Sequence, residues 1–177
     1  MPAIPIVHLG NPILRHPAQA IADPLDPQVQ ALIADLLEHL GPGVGIAAPQ
    51  LSQSQRVVII ASRPNDRYPQ APSMDPLVLI NPQILDRGAT QVQDWEGCLS
   101  VPGLRGFVPR HSWIEVSFLD RQGQPQRQRF EDFVARIVQH ELDHLDGLVF
   151  LDRVNATTDL MTEPEWRSRI LGLGGEK

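Results

Sequence analysis

The stretch EDFVARIVQHELDHLDG (residues 131–147) predicts the helix around which the rest of the fold is expected to form. At about 100° per residue, one side of this helix is apolar, and His140, Glu141 and His144 fall inside the apolar arc. The apolar members of that arc are Phe133, Val134, Ile137, Val138, Leu142 and Leu145. The opposite side is expected to face solvent and carries Asp132, Ala135, Arg136, Gln139, Asp143 and Asp146.

The three polar residues in the apolar arc form the pattern His-Glu-x-x-His, which places two imidazoles beside one metal ion. An unpaired buried carboxylate is costly, and a metal with its water would provide Glu141 with a partner. The alternative is that both histidines are satisfied core residues and Glu141 pairs with an arginine. A catalytic zinc-type site takes three protein ligands and keeps one open position, so the helix supplies only part of such a site.

Several residues are candidates for the third ligand. Glu163 and Glu165 lie about 20 residues after the second histidine, where a zinc peptidase of the glutamate-ligand type has its third ligand. Thr162 and Glu165, however, have the spacing of a helix capping box. Cys98 is the only cysteine, and a thiolate with two imidazoles is an accepted catalytic set. A lone cysteine is also commonly a small buried apolar residue, so the residue types alone leave the choice open.

Elsewhere the chain alternates between short elements of both kinds. Asp26 and Pro27 predict the start of a helix whose apolar stripe ends at Gly41. Apolar or alternating runs predict strands at 56–62, 76–85 and 112–120, followed by a turn at 121–124 and a polar partner strand. Residues 63–75 have the composition of a surface loop. We therefore expect an α+β fold, with small antiparallel or mixed sheets around a central helix, in one domain spanning residues 1–177.

Composition narrows the classes of protein to which the chain can belong. The formal net charge of −6 argues against a general nucleic-acid-binding protein, which would carry a basic face. A single cysteine cannot form an intrachain disulfide. The N-terminal stretch lacks the pattern of a secretory signal, and the apolar run at 57–61 is too short to cross a membrane. We expect a cytoplasmic protein with no membrane partner and no specific nucleic-acid partner.

Three stretches together resemble the conserved motifs of the peptide deformylase family. They are GVGIAAPQ (43–50), EGCLS (96–100) and QHELDH (139–144), and they occur in the order found in that family. The resemblance continues through RGFVPR (105–110) and LDGLVFLDR (145–153). It implies a metal-dependent hydrolase that removes the N-formyl group from the formylmethionine of newly made polypeptides, releasing formate.

The resemblance also implies roles for individual residues. Cys98, His140 and His144 would bind one divalent metal, with Fe(2+) expected in cells and Zn(2+), Ni(2+) or Co(2+) as alternatives. Glu141 would move the proton, while the Gln50 side-chain amide and the Leu99 backbone N–H would stabilise the oxyanion. The zinc peptidase remains an alternative function, as does a deformylase-like protein that binds metal without turnover.

The expected substrate is an N-formylmethionyl nascent peptide, so transient contact with the ribosome is also expected. By resemblance, the peptide would lie as an extended strand beside the backbone near Gly45 and Gly97. The residues expected to bind the peptide and its methionine side chain are Val44, Gly45, Glu96, Gly97, Arg105 and Ile137. Arg110 is expected to pair with Glu96 as structural support.

Overall fold

The computed structural model describes residues 5–173, within which it forms three α-helices and eight β-strands. The helices are α1 (Pro27–Leu40), α2 (Asp132–Leu145) and α3 (Glu163–Arg169). The strands are β1 (Gly45–Ala47), β2 (Val57–Ser62), β3 (Met74–Arg87), β4 (Gln91–Cys98), β5 (Val101–His111), β6 (Trp113–Leu119), β7 (Pro125–Glu131) and β8 (Leu160–Thr162). Residues 1–4 and 174–177 lie outside this range, and with residues 1–4 the beginning of the stretch for which no secretory signal is expected.

The strands form two antiparallel sheets, which confirms the predicted α+β class. One sheet has five strands in the order β1-β2-β3-β6-β7, and the other has three in the order β4-β5-β8. Each neighbouring pair is antiparallel, so the mixed sheets allowed as an alternative do not occur among these strands. β1 and β4 are both edge strands, and each therefore has one edge without a partner strand in its sheet.

The five-stranded sheet lies between α1 and α2, and β2 shows why. All six residues of VVIIAS are buried, because the strand packs against apolar side chains on both faces. Val57 and Ile59 belong to the cluster formed with α1, whereas Val58 and Ile60 belong to the cluster formed with α2. This alternation follows from the two-residue period of a strand. It places α2 on the face of the sheet opposite α1.

The predicted first helix is confirmed at both ends. The Asp26 side chain accepts a hydrogen bond of 2.7 Å from the backbone N–H of Gln28, Pro27 is the first residue of α1, and Gly41 follows its last residue. The predicted strands correspond to β2, β3, β6 and β7. Within residues 5–173, no helix is both long and apolar enough to cross a membrane.

The prediction of a solvated face on α2 is wrong. Ala135, Arg136, Gln139 and Asp143 are all buried, and only Asp132 and Asp146 of the predicted face are exposed. The β4–β5 hairpin, which the sequence patterns did not predict, covers this side of the helix and supplies polar partners. For example, the Gln139 amide donates to the His111 carbonyl oxygen at 2.9 Å and accepts from its N–H at 3.0 Å. The central helix is therefore enclosed between the two sheets.

The capping box predicted at α3 is only half correct. Thr162 does precede the helix, but its side chain makes no capping hydrogen bond. The carboxylate of Glu165 instead accepts from Arg169 one turn later, at 2.6 Å, on the exposed side of the helix.

Candidate metal centre

Three side chains from two elements meet beside α2. His140 and His144 lie one turn apart on the helix, and Cys98 lies at the end of β4. The ligand atoms of all three lie within 4.8 Å of one another, and the Cys98 Sγ is 3.2 Å from the His144 Nε2. Within residues 5–173 this is the one such cluster of His, Cys, Asp and Glu side chains. The fold thus brings the predicted thiol ligand to the two histidines.

The chemistry of this cluster fits a divalent metal. One soft thiolate and two imidazoles are a donor set that zinc and iron both accept. Burial raises the pKa of the Cys98 thiol, but the adjacent His144 and His140 outweigh it and hold this pKa well below its usual range. The thiolate is the form that binds metal. The His140 Nδ1 is hydrogen-bonded to Glu96 at 2.8 Å, which leaves its Nε2 for the ligand position.

Glu96 fixes the orientation of His140. Its carboxylate accepts from the Arg110 guanidinium at 2.9 and 3.0 Å, from Arg136 at 2.8 Å and from the His140 Nδ1 at 2.8 Å. Burial raises the pKa of Glu96, but Arg110 and His140 outweigh it and hold that pKa well below its usual range. The predicted Arg110–Glu96 pair is therefore confirmed. Glu96 borders the cleft, yet its two oxygens face this network.

Arg136 is buried and joins α2 to the β4–β5 hairpin, which the helical pattern did not predict. It is 7% exposed and sits on α2 one turn before His140. Besides Glu96, its guanidinium donates to the carbonyl oxygens of Val108 at 2.8 Å and Val92 at 2.6 Å. One side chain thus joins α2 to both strands of the β4–β5 hairpin and to the carboxylate that orients His140.

We expect Arg136→Met to lower the free energy of unfolding by about 3 kcal/mol, the lower end for loss of one partner of a buried ion pair. Arg110 still neutralises Glu96 in this variant, which is why the lower end applies. Arg153→Met is the matched control, because Arg153 pairs with Asp143 in the same network but its side chain is 44% exposed. Its loss should cost no more than about 1 kcal/mol. Urea unfolding of both variants measures the difference in the free energy of unfolding. Equal losses in the two variants would show that Arg136 has no special role in joining α2 to the hairpin.

Glu141 is buried beside the candidate metal ligands, and one of its oxygens has no hydrogen-bond partner among the described residues. It is 4% exposed, and its Oε2 has no partner among the described residues. Burial raises the pKa of Glu141 to about 7, against the opposing effect of His140 and His144. A Cβ atom at Gly45 would overlap the Glu141 carboxylate, so only glycine allows β1 to approach this closely. The carboxylate therefore faces the space between the ligands and β1.

Gln50 holds an amide N–H toward the same space. The residue is 2% exposed and lies in the 3-10 turn Ala48–Leu51. Its Oε1 accepts from the Ala47 N–H at 2.9 Å, which fixes the orientation of the amide. Its Nε2 then points to the Ser100 Oγ at 3.1 Å and the Cys98 Sγ at 3.6 Å. The amide is thus a fixed donor beside the candidate ligands.

A single cleft joins almost all the predicted site residues. The cleft is lined by Val44, Gly45, Gln50, Glu96, Gly97, Cys98, Leu99, Arg105, Ile137, His140 and Glu141, while His144 is fully buried. Three aromatic residues that the sequence analysis did not select, Tyr68, Trp95 and Phe133, also line it. Tyr68 comes from the stretch predicted as a surface loop. That it is the only tyrosine in the chain was the one feature of the sequence that could have drawn attention to it.

Arg105 borders the cleft, but its polar atoms are engaged elsewhere. Its guanidinium donates to Glu163 at 2.5 and 3.2 Å and to the Tyr68 hydroxyl at 3.0 Å, and it stacks over the Trp166 ring at 4.3 Å. A Cβ at Gly97 would overlap this guanidinium. Because Glu163 pairs with Arg105 and Glu165 with Arg169, neither glutamate is available as a metal ligand. Among residues 5–173, neither glutamate belongs to the cluster of Cys98, His140 and His144, so the described residues offer no glutamate as the third ligand of the zinc peptidase alternative.

Comparisons with known proteins agree with this geometry. The family model for polypeptide deformylase matches residues 3–159. Peptide deformylase 2 of a Nostoc species is 52% identical over 169 residues, covering 94% of each chain. Peptide deformylase 1 of Prochlorococcus marinus is 44% identical, covering 84% of this chain and 79% of the relative.

Solved structures give the same result. The class I type b peptide deformylase from Acinetobacter baumannii, with Met-Ala-Ser bound, superimposes with a TM-score of 0.83 at 42% identity, covering 86% of this chain and 98% of that one. The peptide deformylase from Synechococcus elongatus in complex with actinonin gives a TM-score of 0.78 at 34% identity, covering 90% and 82%. By its sequence, its fold and the match over most of its length, this chain belongs to the polypeptide deformylase family.

Proposed function

We propose that Cys98, His140 and His144 hold one divalent metal ion and that Glu141 moves the proton in the deformylase reaction. Membership of the family gives the reaction, which removes the formyl group from nascent peptides. The observation that carries the assignment is the meeting of the three ligand side chains beside a buried carboxylate oxygen without a partner. Cys98, His140 and Glu141 also line one cleft, while His144 is buried, and this supports the assignment further.

A metal held by Cys98, His140 and His144 would supply a Lewis acid for the formyl oxygen and would lower the pKa of a water molecule. A thiolate with two imidazoles suits iron as well as zinc, nickel and cobalt. Of these metals we propose Fe(2+) in cells, because it is the metal that the resemblance to the family implies. Anaerobic purification followed by elemental analysis tests the identity of the metal. Iron in near-stoichiometric amount supports the proposal, and zinc alone under the same conditions would contradict it.

In this proposal Glu141 accepts a proton from the attacking water and returns it to the leaving peptide nitrogen. General acid–base groups need to lie within hydrogen-bond reach of the reacting atoms. The Glu141 Oε2 has no hydrogen-bond partner among the described residues, and the Oε1 lies where a Cβ at Gly45 would stand. The carboxylate thus faces the space between the proposed ligands and the backbone at Gly45. Two carboxylates among the described residues line the cleft, Glu96 and Glu141. Arginines bind Glu96 but not Glu141.

The oxyanion that develops on the formyl group is stabilised by two fixed donors, the Gln50 Nε2 and the Leu99 backbone N–H. Both residues line the cleft beside Cys98. Gln50 is held in place by its own bond to the Ala47 N–H. Preorganised donors of this kind need no reorganisation when charge develops, which is the source of their effect.

We expect Gln50→Glu to lower kcat by roughly 10²–10³, the usual cost of removing one oxyanion donor. Glutamate keeps the acceptor for the Ala47 N–H, but it replaces the donor by an oxygen and adds a negative charge beside the Cys98 Sγ, so the metal content of the variant has to be measured as well. KM should move little, and the rates are compared at equal measured metal content. Formate release at several substrate concentrations separates kcat from KM. A variant with unchanged kcat would remove Gln50 from the mechanism.

The free edges of β1 and β4 provide the binding site for the peptide backbone. Gly45 lies on β1 and Gly97 on β4, and both line the cleft between the two sheets. An extended peptide can pair with unpaired strand edges through its main chain, which gives affinity with little dependence on sequence. That property suits an enzyme whose substrates are many different nascent chains. The methionine side chain then enters the part of the cleft lined by Val44, Ile137 and His140.

A formate-release assay on formyl-Met-Ala-Ser, with freshly iron- or nickel-loaded protein, tests the proposed function. The Met-Ala-Ser peptide bound to the Acinetobacter baumannii enzyme corresponds to the product of that substrate. Turnover well above that of Glu141→Ala supports the proposal. Turnover equal to that of the variant would favour the alternative, a deformylase-like protein that binds metal without catalysis.

The cellular setting follows from the same proposal. We propose that the chain forms a single domain, because α2 packs against strands of both sheets. We place the protein in the cytoplasm, because a reducing compartment keeps Cys98 a free thiol. Its substrates are nascent peptides, so it contacts the ribosome transiently. Co-sedimentation with ribosomes that carry formylated nascent chains tests this contact.

A further inference from the structure

A second cavity lies on the side of α2 away from the cleft and has no role in the chemistry described above. Asp146 of α2 lines this cavity and Ile137 lines the cleft. These two residues are about two and a half turns apart, which places them on opposite sides of the helix. The cavity has a volume of about 410 Å³, and we call it the arginine groove after four arginines that line it, Arg56, Arg87, Arg110 and Arg153.

Positive charge predominates in the arginine groove. Four arginines line it, against two carboxylates, Asp143 and Asp146, so its formal net charge is +2 in a chain whose formal net charge is −6. Glu96 lies behind Arg110, but it also binds Arg136, and these two opposite charges leave the balance of the groove unchanged. A cavity with an excess of one charge raises the local concentration of ions of the opposite sign. The groove is therefore expected to attract anions.

Many N–H groups of these arginines have no acceptor among the described residues. Each guanidinium carries five N–H donors. Arg153 uses only its Nε and Nη2, both on Asp143, and Arg56 uses only its Nη1. Arg87 is exposed and takes part in none of the ion pairs formed within residues 5–173. Donors from three arginines thus remain for the oxygens of a bound anion.

The two aspartates hold three of the arginines in place. Asp143 is buried and accepts from Arg110 at 2.6 Å and from Arg153 at 2.6 and 3.1 Å. Asp146 follows about one turn later on α2 and accepts from Arg56 at 2.9 Å. The guanidinium groups therefore stand around the groove before any ligand binds. Such preorganisation lowers the side-chain entropy that binding costs.

We propose that the arginine groove is a binding site for a phosphate group. Guanidinium groups bind phosphate through paired, charge-assisted hydrogen bonds, and several of them around one cavity match an anion that carries more than one negative charge. The phosphate belongs either to a small phosphate compound or to the backbone of an RNA, because both present the same oxygens. The groove and the cleft lie on opposite sides of α2, so the phosphate and the substrate peptide occupy separate sites.

The first experiment follows the amide chemical shifts of the zinc-loaded, full-length protein while inorganic phosphate is added. We expect saturable changes in the millimolar range at Gln91, His111 and Asp146, which line the groove. Gly45 and Gly97 line the cleft and report any phosphate that binds to the metal instead. Sodium chloride at the same ionic strength should leave the groove signals almost unchanged, because chloride cannot form paired hydrogen bonds with a guanidinium.

Arg87→Gln should weaken phosphate binding about tenfold, the usual effect of losing one hydrogen bond to a charged group. Arg121→Gln is the matched control, because it removes the same charge from another exposed arginine that lies outside the groove. This control should bind phosphate as the unaltered protein does. Dispersed amide signals in both variants show that they are folded, so the comparison does not depend on activity.

A short single-stranded RNA, added in the same way, distinguishes the two sources of the phosphate. Groove changes at lower concentrations of RNA than of inorganic phosphate assign the site to an RNA backbone, and the reverse order assigns it to a small phosphate compound. Absence of groove changes with both ligands would overturn the proposal, as would changes confined to Gly45 and Gly97. Equal effects of chloride and phosphate, or equal weakening by Arg87→Gln and Arg121→Gln, would also overturn it, because they would reveal only a general effect of charge.

Discussion

Cys98→Ala is expected to abolish tight metal binding and, with it, formate release. The thiolate is one of three side chains that meet at the centre, and within residues 5–173 no other cysteine, histidine or carboxylate joins that cluster. Loss of a group that merely supports a ligand typically weakens metal binding about 10–100-fold, and loss of a ligand should exceed this. Elemental analysis after dialysis against a weak chelator measures the bound metal directly.

The two glutamates after the metal helix supply the control for this experiment. Glu163→Ala and Glu165→Ala should both retain full metal content, because their carboxylates pair with Arg105 and Arg169. Glu163→Ala releases Arg105 from its partner and is therefore expected to change substrate affinity more than Glu165→Ala, whose ion pair is exposed. Full metal occupancy in Cys98→Ala, or metal loss in Glu163→Ala, would contradict the ligand assignment.

Local sequence patterns predicted the elements that are marked by their own capping residues or by a run of apolar side chains. α1 has an N-cap, an apolar stripe and a terminal glycine, and β2 is a continuous apolar run. The β4–β5 hairpin has neither signal. The first four residues of β4 are exposed, and β5 contains two prolines and two glycines. Its strands are stabilised by each other and by the polar side of α2, which no local pattern records.

The same reason explains the error at Arg136. A helical wheel assigns arginine to solvent because buried arginines are rare unless they are paired. The partners of Arg136 are the carboxylate of Glu96 and the backbone carbonyl oxygens of Val92 and Val108, all on the hairpin. Backbone acceptors leave no trace in a side-chain pattern. Of the candidate site, the metal pattern on α2 was visible from spacing, whereas Cys98 was selected only through resemblance to a family.

Tyr68 shows a further limit of sequence patterns. The stretch predicted as a loop, residues 63–75, is rich in proline and polar residues, which predicts a surface position, and its last two residues already belong to β3. The tyrosine nevertheless packs on Phe133 of α2 and accepts from Arg105 of β5, so it becomes part of the cleft wall. Its position depends on two residues that are distant in sequence. Long-range contacts of this kind require the folded structure.

Glu141→Ala is expected to lower kcat/KM for formyl-Met-Ala-Ser by roughly 10²–10⁴, the usual contribution of a general acid–base group. The carboxylate is 4% exposed, lines the cleft and has an oxygen without a hydrogen-bond partner among the described residues. It is not one of the three ligand side chains, so the variant should keep its metal. Formate release by the variant and the unaltered enzyme, compared at equal measured metal content, gives the ratio.

Glu141→Gln separates proton transfer from the space that the side chain fills. The amide is close in size to the carboxylate and leaves no cavity, but it cannot accept the proton, so its activity should be as low as that of Glu141→Ala. If glutamine restored most of the activity, Glu141 would act through packing or polarity and the water would have to lose its proton to another group. A fall in metal content parallel to the fall in activity would instead place Glu141 with the residues that hold the metal. Loss of turnover with full metal occupancy in both variants is the result that assigns the proton transfer to this carboxylate.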